Sequence, residues 1–295
     1  MPQPQHHAQH AHHHDTRQSQ DAADDDHADL LDLDAVVLHD YWSAALAWVT
    51  RAADGAPRAR LLDLGAGTGT GTGAIGLARQ FPEADVVAVD ISPGSLARLR
   101  VKALDLGLAS RVHTVEADLD AGWPDLGTLD LTWASMSLHH MADPGRVLRD
   151  VFDATRSGGL IAVAEFSEPL RFLPDDLGFG LPGFESRAAD ALGSAHAEAL
   201  PALRSAWAPR LADAGWNVIA ERGFPIDLNP PSHPDATRYA LAWFARLSHG
   251  LDGRLGPDDR ATLAALLGKG GPRSLLHRGD LRIRGTRTVT VARRG

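Results

Sequence analysis

Cysteine is absent from the 295 residues, and lysine nearly so, standing only at Lys102 and Lys269. The first absence excludes disulfides, thiolate metal centres and a cysteine nucleophile. The second leaves arginine as almost the whole positive charge, and the Arg and Ala excess reads as genomic base bias rather than function. Lys and Arg total 29 against 38 Asp and Glu, a formal net charge of −9. Docking on nucleic acid favours a basic face, so this balance argues against a nucleic-acid partner. No apolar run approaches the ~18 residues of a membrane span, and no secretory h-region is visible. The expectation is a soluble cytoplasmic protein with no membrane partner. Its 44% of apolar residues suffice for one large domain with a real core.

What is present begins with a low-complexity stretch. Residues 1–33 are rich in Gln, His and Asp and read as a disordered tail. The histidines at its start, His6, His7, His10, His12, His13 and His14, read as solvated rather than as a metal site. Order is expected from Asp34, as the cap of a helix that places Val37, Tyr41, Ala44, Ala45 and Trp48 near one face. An alternation follows, with strands over 60–64, 85–89, 111–115 and 129–134 and helices over 72–80, 93–106 and 144–154. "RSGGLIAVAEF" is a glycine turn into an apolar strand. Residues 216–224 and "LRIRGTRTVTVARR" complete seven strands, with helices over 188–199, 202–214, 234–247 and 258–267. This rhythm predicts an α/β fold: a Rossmann-like seven-stranded, mostly parallel sheet with helices on both faces. Helical lid insertions follow the fifth and sixth strands. Residues 34–165 form a cofactor-binding half, and residues 166–295 the remaining strands plus the substrate lid.

"LLDLGAGTGTGTGAIGLARQF" places a glycine at every second position from Gly65 to Gly73. It contains D-x-G-x-G-x-G from Asp63 to Gly69, which suggests a sulfonium nucleoside cofactor. It also contains G-x-G-x-x-G from Gly71 to Gly76, the dinucleotide fingerprint. The glycine turn of such a unit follows the first strand directly, and the strand here ends at Leu64. That favours Gly65, Gly67 and Gly69 as the cofactor turn and leaves Gly71 and Gly73 in the first turn of the helix. Asp90, 19 residues beyond Gly71, is the one feature that favours a dinucleotide.

"LLDLGAGTGT", "VVAVDISPGSLARLR", "VHTVEADLD", "LTWASMSLHHMADPGRVLRDVF" and "RSGGLIAVAEF", in this order, resemble class I S-adenosylmethionine-dependent methyltransferases, most of all the bacterial small-molecule type. The resemblance covers about residues 34–166. It implies S-adenosyl-L-methionine as cofactor, with Gly65, Gly67 and Gly69 admitting its methionine and ribose parts. Asp63 would act on the glycine loop or the amino group. Asp90 would accept from the ribose hydroxyls, and Ile91 would pack on the adenine. Asp118 would accept from the adenine amine, with Leu119 beside it. Ala134 and Ser135 would border the methionine moiety, and Tyr41 would belong to a segment closing over the cofactor.

The expected reaction is in-line methyl transfer to an oxygen, nitrogen or carbon nucleophile of a small molecule, a natural product or short peptide. A base is required only where the acceptor arrives protonated. His139 and His140 are the candidates, since they follow the fourth strand and histidine titrates near neutrality. Adjacent histidines rarely converge, and no third ligand stands at a convincing spacing, so no metal site is expected. Phe172, Phe179, Phe184, Trp207, Trp243 and Phe244 are candidates for an apolar substrate wall or for the lid's own core. Asp175, Asp176 and His233 lie in candidate loops. Arg282, Arg284, Arg287, Arg293 and Arg294 read as solvated strand-face residues. Two alternatives remain: an NAD-dependent oxidoreductase, and a catalytically silent methyltransferase-like interaction module.

Overall fold

The computed structural model describes residues 28–53, 58–67, 73–199, 202–203, 205–229, 234–251 and 253–295. The histidine-rich stretch, Gly69, Gly71 and His233 lie outside them. Seven strands form one sheet in the order β3-β2-β1-β4-β5-β7-β6. The strands are β1 (Arg60–Leu64), β2 (Asp85–Asp90), β3 (Val112–Glu116), β4 (Leu129–Ser135), β5 (Thr155–Arg171), β6 (Asn217–Leu228) and β7 (Ile283–Arg293). The first five run parallel, whereas β7 pairs antiparallel with both β5 and β6.

Parallel strands covered on both faces read as apolar runs, and β1 and β4 are buried almost throughout. Side chains alternate between two apolar layers. Leu61, Val86, Leu131, Trp133 and Ala162 face α2 (His39–Ala52) and α3 (Ala74–Gln80). Leu62, Val87, Ala134 and Ile161 face α5 (Pro144–Ala154) and α7 (Trp207–Asp213). Between β2 and β3 runs α4 (Pro93–Asp105), started by Ser92, whose Oγ accepts from Ser95 N. After β5 comes α6 (Phe184–Ala199), and after β6 come α8 (Ala236–Gly250) and α9 (Pro257–Leu267).

The chain is helical earlier than its composition suggests. Residues 28–37 form α1, which breaks at Leu38 before α2. Leu30 packs into the core, while Asp29 and Asp32 pair with Arg98 and Lys102 of α4. Asp34 therefore lies inside α1 and caps nothing. Its carboxylate is instead the hub of a buried network. Arg287 Nη1 donates to Oδ1 at 3.0 Å and Nη2 to Oδ2 at 2.5 Å. Trp42 Nε1 donates to Oδ1 at 3.0 Å and Tyr239 Oη to Oδ2 at 2.6 Å.

Arg287 is 1% exposed, which corrects the expectation of a solvated strand-face arginine. Its guanidinium lies 5.1 Å from the ring centres of both Tyr41 and Trp42 and 5.5 Å from that of Phe166. Burial pulls its pKa down, but the Asp34 carboxylate outweighs this and holds the guanidinium above its ordinary range. Arg282 does behave as expected, pairing with Asp227 at the surface.

Removing one partner of a buried pair strands the other charge. Asp34→Ala should therefore destabilise the fold by about 3–5 kcal/mol. Arg238→Ala, at an exposed pair with Asp235 on α8, should change stability by no more than about 0.5 kcal/mol. Urea denaturation of the three proteins measures both.

Candidate active site

Strand order reverses between β1 and β4, and in open α/β sheets ligands sit outside the carboxyl ends at that point. A cavity of about 900 Å³ opens there. Its floor is the turn after β1. Gly65 and Gly67 have φ of +68° and +54°, which glycine adopts without a Cβ penalty. At Gly65 a Cβ would also stand 2.4 Å from Ser137 Cβ. Gly65 N and Ala66 N donate to Val89 O, stitching the turn to β2.

Asp90 ends β2 at the cavity wall. Gly67 N donates to Asp90 Oδ2 and Ser92 N to Oδ1, each at 2.8 Å. A carboxylate offers about four lone-pair sites, so two backbone donors fix its orientation and leave accepting capacity. Ile91 lines the same wall and is 64% exposed, an apolar side chain awaiting a cover. Asp118 and Leu119 line the cavity beyond β3, and Asp118 Oδ1 accepts from Asp120 N at 2.9 Å.

Asp63 lines the cavity too, but its carboxylate is turned toward the start of α3. Its Oδ2 accepts from Ala74 N at 2.6 Å, capping the start of α3 across 11 residues. Gly73 now has a reason: a Cβ there would stand 2.0 Å from Asp63 Oδ2. Burial pushes the Asp63 carboxyl up to about 7, the hydrogen bond from Ala74 opposes the shift, and neighbouring Asp90 adds to it.

Two expected cofactor residues are elsewhere. Ala134 is fully buried in the layer under α5, because alternation along β4 turns it away from the cavity-lining Trp133 and Ser135. Tyr41 is packed in the core against Arg287 and Phe224, and Trp42, Leu30, Leu31 and Asp34 form the N-terminal wall in its place. Ser135 does line the cavity, and its Oγ is buried without a hydrogen-bond partner. The next residue, Met136, has φ +54°, rare for a side-chain-bearing residue and the kind of strain that collects at functional sites.

His139 and His140 both line the cavity, on a single 3-10 turn after β4. Their rings lie 4.1 Å apart. His139 is 4% exposed, and its Nδ1 stands 2.7 Å from Oε2 of Glu165, itself 2% exposed. A carboxylate accepts, so Nδ1 carries the hydrogen, and in the neutral imidazole Nε2 then holds the lone pair. Glu165 was not legible in advance: an acid within "LIAVAEF" reads as the end of an apolar strand. Of the lid aromatics, Trp243 lines the cavity. Phe172, Phe184 and Phe244 form the lid's own core, Trp207 packs beneath the sheet, and Phe179 lies under Arg273 and Arg278. Asp175 and Asp176 are not among the lining residues.

Residues 62–161 match the model of a family described as a methyltransferase domain. The ubiquinone/menaquinone biosynthesis C-methyltransferase UbiE of Pasteurella multocida is 33% identical over 90 residues, 30% of this chain and 33% of that protein. The 27-O-demethylrifamycin SV methyltransferase of Amycolatopsis mediterranei is 34% identical over 108 residues, 36% of this chain and 38% of that protein. The chain thus spans little more than a third of the length of these relatives. A solved candidate methyltransferase of Bacillus halodurans shares the fold, with a TM-score of 0.53 at 16% identity, over 85% of this chain and 99% of its own. Residues 62–161, which carry β1 to β4 and the first part of β5, thus match a methyltransferase domain, and S-adenosylmethionine is the cofactor that this match supports.

The residues present fit that cofactor. S-adenosylmethionine carries an ammonium and a sulfonium beside one carboxylate, and the acids that line the cavity, Asp63, Asp90, Asp118 and Asp120, suit the two cations. Exposed Ile91 offers a flat apolar contact, and Ser135 Oγ an unused hydrogen bond.

Two outcomes follow from Asp63. The folded protein keeps a proton on Asp63 that the unfolded chain releases near its ordinary pKa of about 3.9. This stabilisation is complete below that value and is lost as pH rises toward about 7. Asp63→Asn keeps the acceptor for Ala74 N, so its stability relative to the native chain should rise between about pH 4 and about pH 7. Denaturant titrations across that range measure the difference, and a constant offset contradicts the assignment. Gly73→Ala should displace the Asp63 carboxylate and lower both the thermal midpoint and the affinity for adenosylhomocysteine, read by calorimetry.

Proposed function

We propose that this protein methylates a hydroxyl or amine of a small organic molecule in the cytoplasm, with His139 as the base. The observation that carries the reading is the His139–Glu165 pair on the wall of the cavity that holds the glycine turn and Asp90. Among the relatives, one is named for a carbon acceptor and another for an oxygen acceptor. The acceptor atom is therefore argued from the histidine rather than from likeness.

S-adenosylmethionine, when bound, supplies an activated methyl group on a sulfonium centre. Gly65 and Gly67 would let the backbone approach it, and Asp90 and Asp118 would accept from its nucleoside end. Ile91 and Leu119 provide apolar contact, and Ser135 a hydroxyl. The walls from α1, α2 and α8 exclude water, so that donor and acceptor are held together in a dry site. His139 Nε2 would take the proton from the acceptor as the acceptor's lone pair becomes the new bond to the methyl carbon and the bond from that carbon to sulfur breaks, its electron pair remaining on sulfur. Glu165 holds the imidazole in the tautomer that leaves Nε2 free and stabilises the cation once it forms. His140, which is exposed at the rim, is the less suited of the two.

Adenosylhomocysteine should bind with micromolar affinity in calorimetry, and Asp90→Ala should abolish the signal. NADH should raise the thermal midpoint no more than buffer does. With a turned-over substrate, His139→Gln should lower kcat by about 10²–10⁴-fold at neutral pH, the usual worth of a general base. Glu165→Gln should lower it less and move the limb of the pH–rate profile that reports the base. Unchanged kcat in His139→Gln excludes base catalysis by this residue.

A further inference from the structure

The cavity lining carries both signs of charge. Asp63, Asp90, Asp118 and Asp120 come from the ends of β1 and β2 and the segment after β3, whereas Arg246 comes from α8 and Arg287 from β7. Arg287 is paired with Asp34, which lines the same cavity. Arg246 is different. It lies on α8 in the stripe Tyr239, Trp243, Arg246 and Gly250, spaced as one helical face, and all four line the cavity. Among the described residues no carboxylate pairs with it. It keeps an open surface, yet protein atoms crowd the guanidinium enough that burial pulls its pKa below the ordinary arginine value, and no neighbouring acid offsets this. Its guanidinium thus lines the cavity with no acid beside it among the described residues.

Beside it the cavity has an apolar annex. A second hollow of about 90 Å³ lies between β5 and helices α6 and α8 and shares Phe166, Leu192, Leu203, Trp243 and Leu247 with the main cavity. Its two acids do not approach the guanidinium as partners: Glu185 is committed to Phe172 N and Leu173 N at 2.7 and 3.1 Å, and Glu168 is exposed.

We infer that the acceptor substrate is a monocarboxylate with an aromatic or aliphatic body, its carboxylate held by Arg246 and its apolar part seated against Trp243, Leu247 and the annex. One guanidinium balances one negative charge, and its fork matches a carboxylate's two oxygens. The inference rests on the methyl-transfer reading, since it names the substrate of that same cavity. It gives the lid a second task besides covering the site: α8 selects for charge.

The test uses the full chain saturated with adenosylhomocysteine and three probe pairs: indole-3-butyrate, 4-phenylbutyrate and decanoate, each against its primary amide. Calorimetry should give at least one carboxylate binding about tenfold or more tightly than its amide, a difference of about 1.4 kcal/mol. Arg246→Gln should erase that preference, Arg246→Lys should retain part of it, and Arg238→Gln, at the surface pair, should leave it intact. Equal affinity of acids and amides, binding by none of the carboxylates, or a preference that survives Arg246→Gln overturns the inference. Adenosylhomocysteine titrated alone separates the two levels. If it fails to bind the native chain, the methyl-transfer reading falls; if it binds and Arg246 shows no preference, only the carboxylate assignment falls.

Discussion

One carboxylate ties the N-terminal helices to α8 and β7. Asp34 accepts from Arg287 on β7, Tyr239 on α8 and Trp42 on α2. A buried arginine is tolerable only when its charge is compensated and its donors are used. Placing Arg287 inside the sheet's wall therefore requires α1 to be where it is, and α1 in turn defines where the cavity closes. Compared with an apolar cluster of equal volume, such a network adds little net stability. What it adds is a single arrangement of four elements that would otherwise pack through interchangeable hydrocarbon.

The cofactor half depends on a different economy of charge. Asp63 faces the core side of β1, where alternation along the strand leaves it nowhere else to go, and it answers the first free amide of α3. Burial keeps a proton on it more readily than on an exposed acid. Asp90 answers two loop amides and stays partly open. The two acids thus divide the work: one caps the start of α3, the other lines the cavity beside Gly67. The His139–Glu165 pair repeats the pattern after β4 and on β5, where a buried acid accepts from the ring of a cavity-lining residue.

The strands and their order of appearance were legible because parallel strands in a doubly covered sheet are apolar throughout and end at glycine or acid. The same logic placed Gly65, Gly67, Asp90, Ile91, Asp118 and Leu119 at the carboxyl edge, since chain order alone puts the residue after each strand there. Ala134 failed because that rule gives the position along the strand and not the face. Tyr41 failed because a helix period identifies a buried stripe without saying whether the stripe meets protein or ligand. Asp34 read as a cap because the residues before it look like a polar tail. Only the pairing of Asp29 and Asp32 with α4 reveals a helix there.

The sequence by itself determined the sheet, the glycine turn and the acids at strand ends, all properties of local pattern and order. The tertiary structure alone decided which distant charges meet. Asp34 finds Arg287 across 253 residues, and Glu165 finds His139 across 26. Gly73 clears space for Asp63, and Arg246 is left without an acid partner among the described residues. Such encounters are set by how helices pack over a finished sheet, where each burial of charge must be compensated in three dimensions, and no spacing along the chain encodes that.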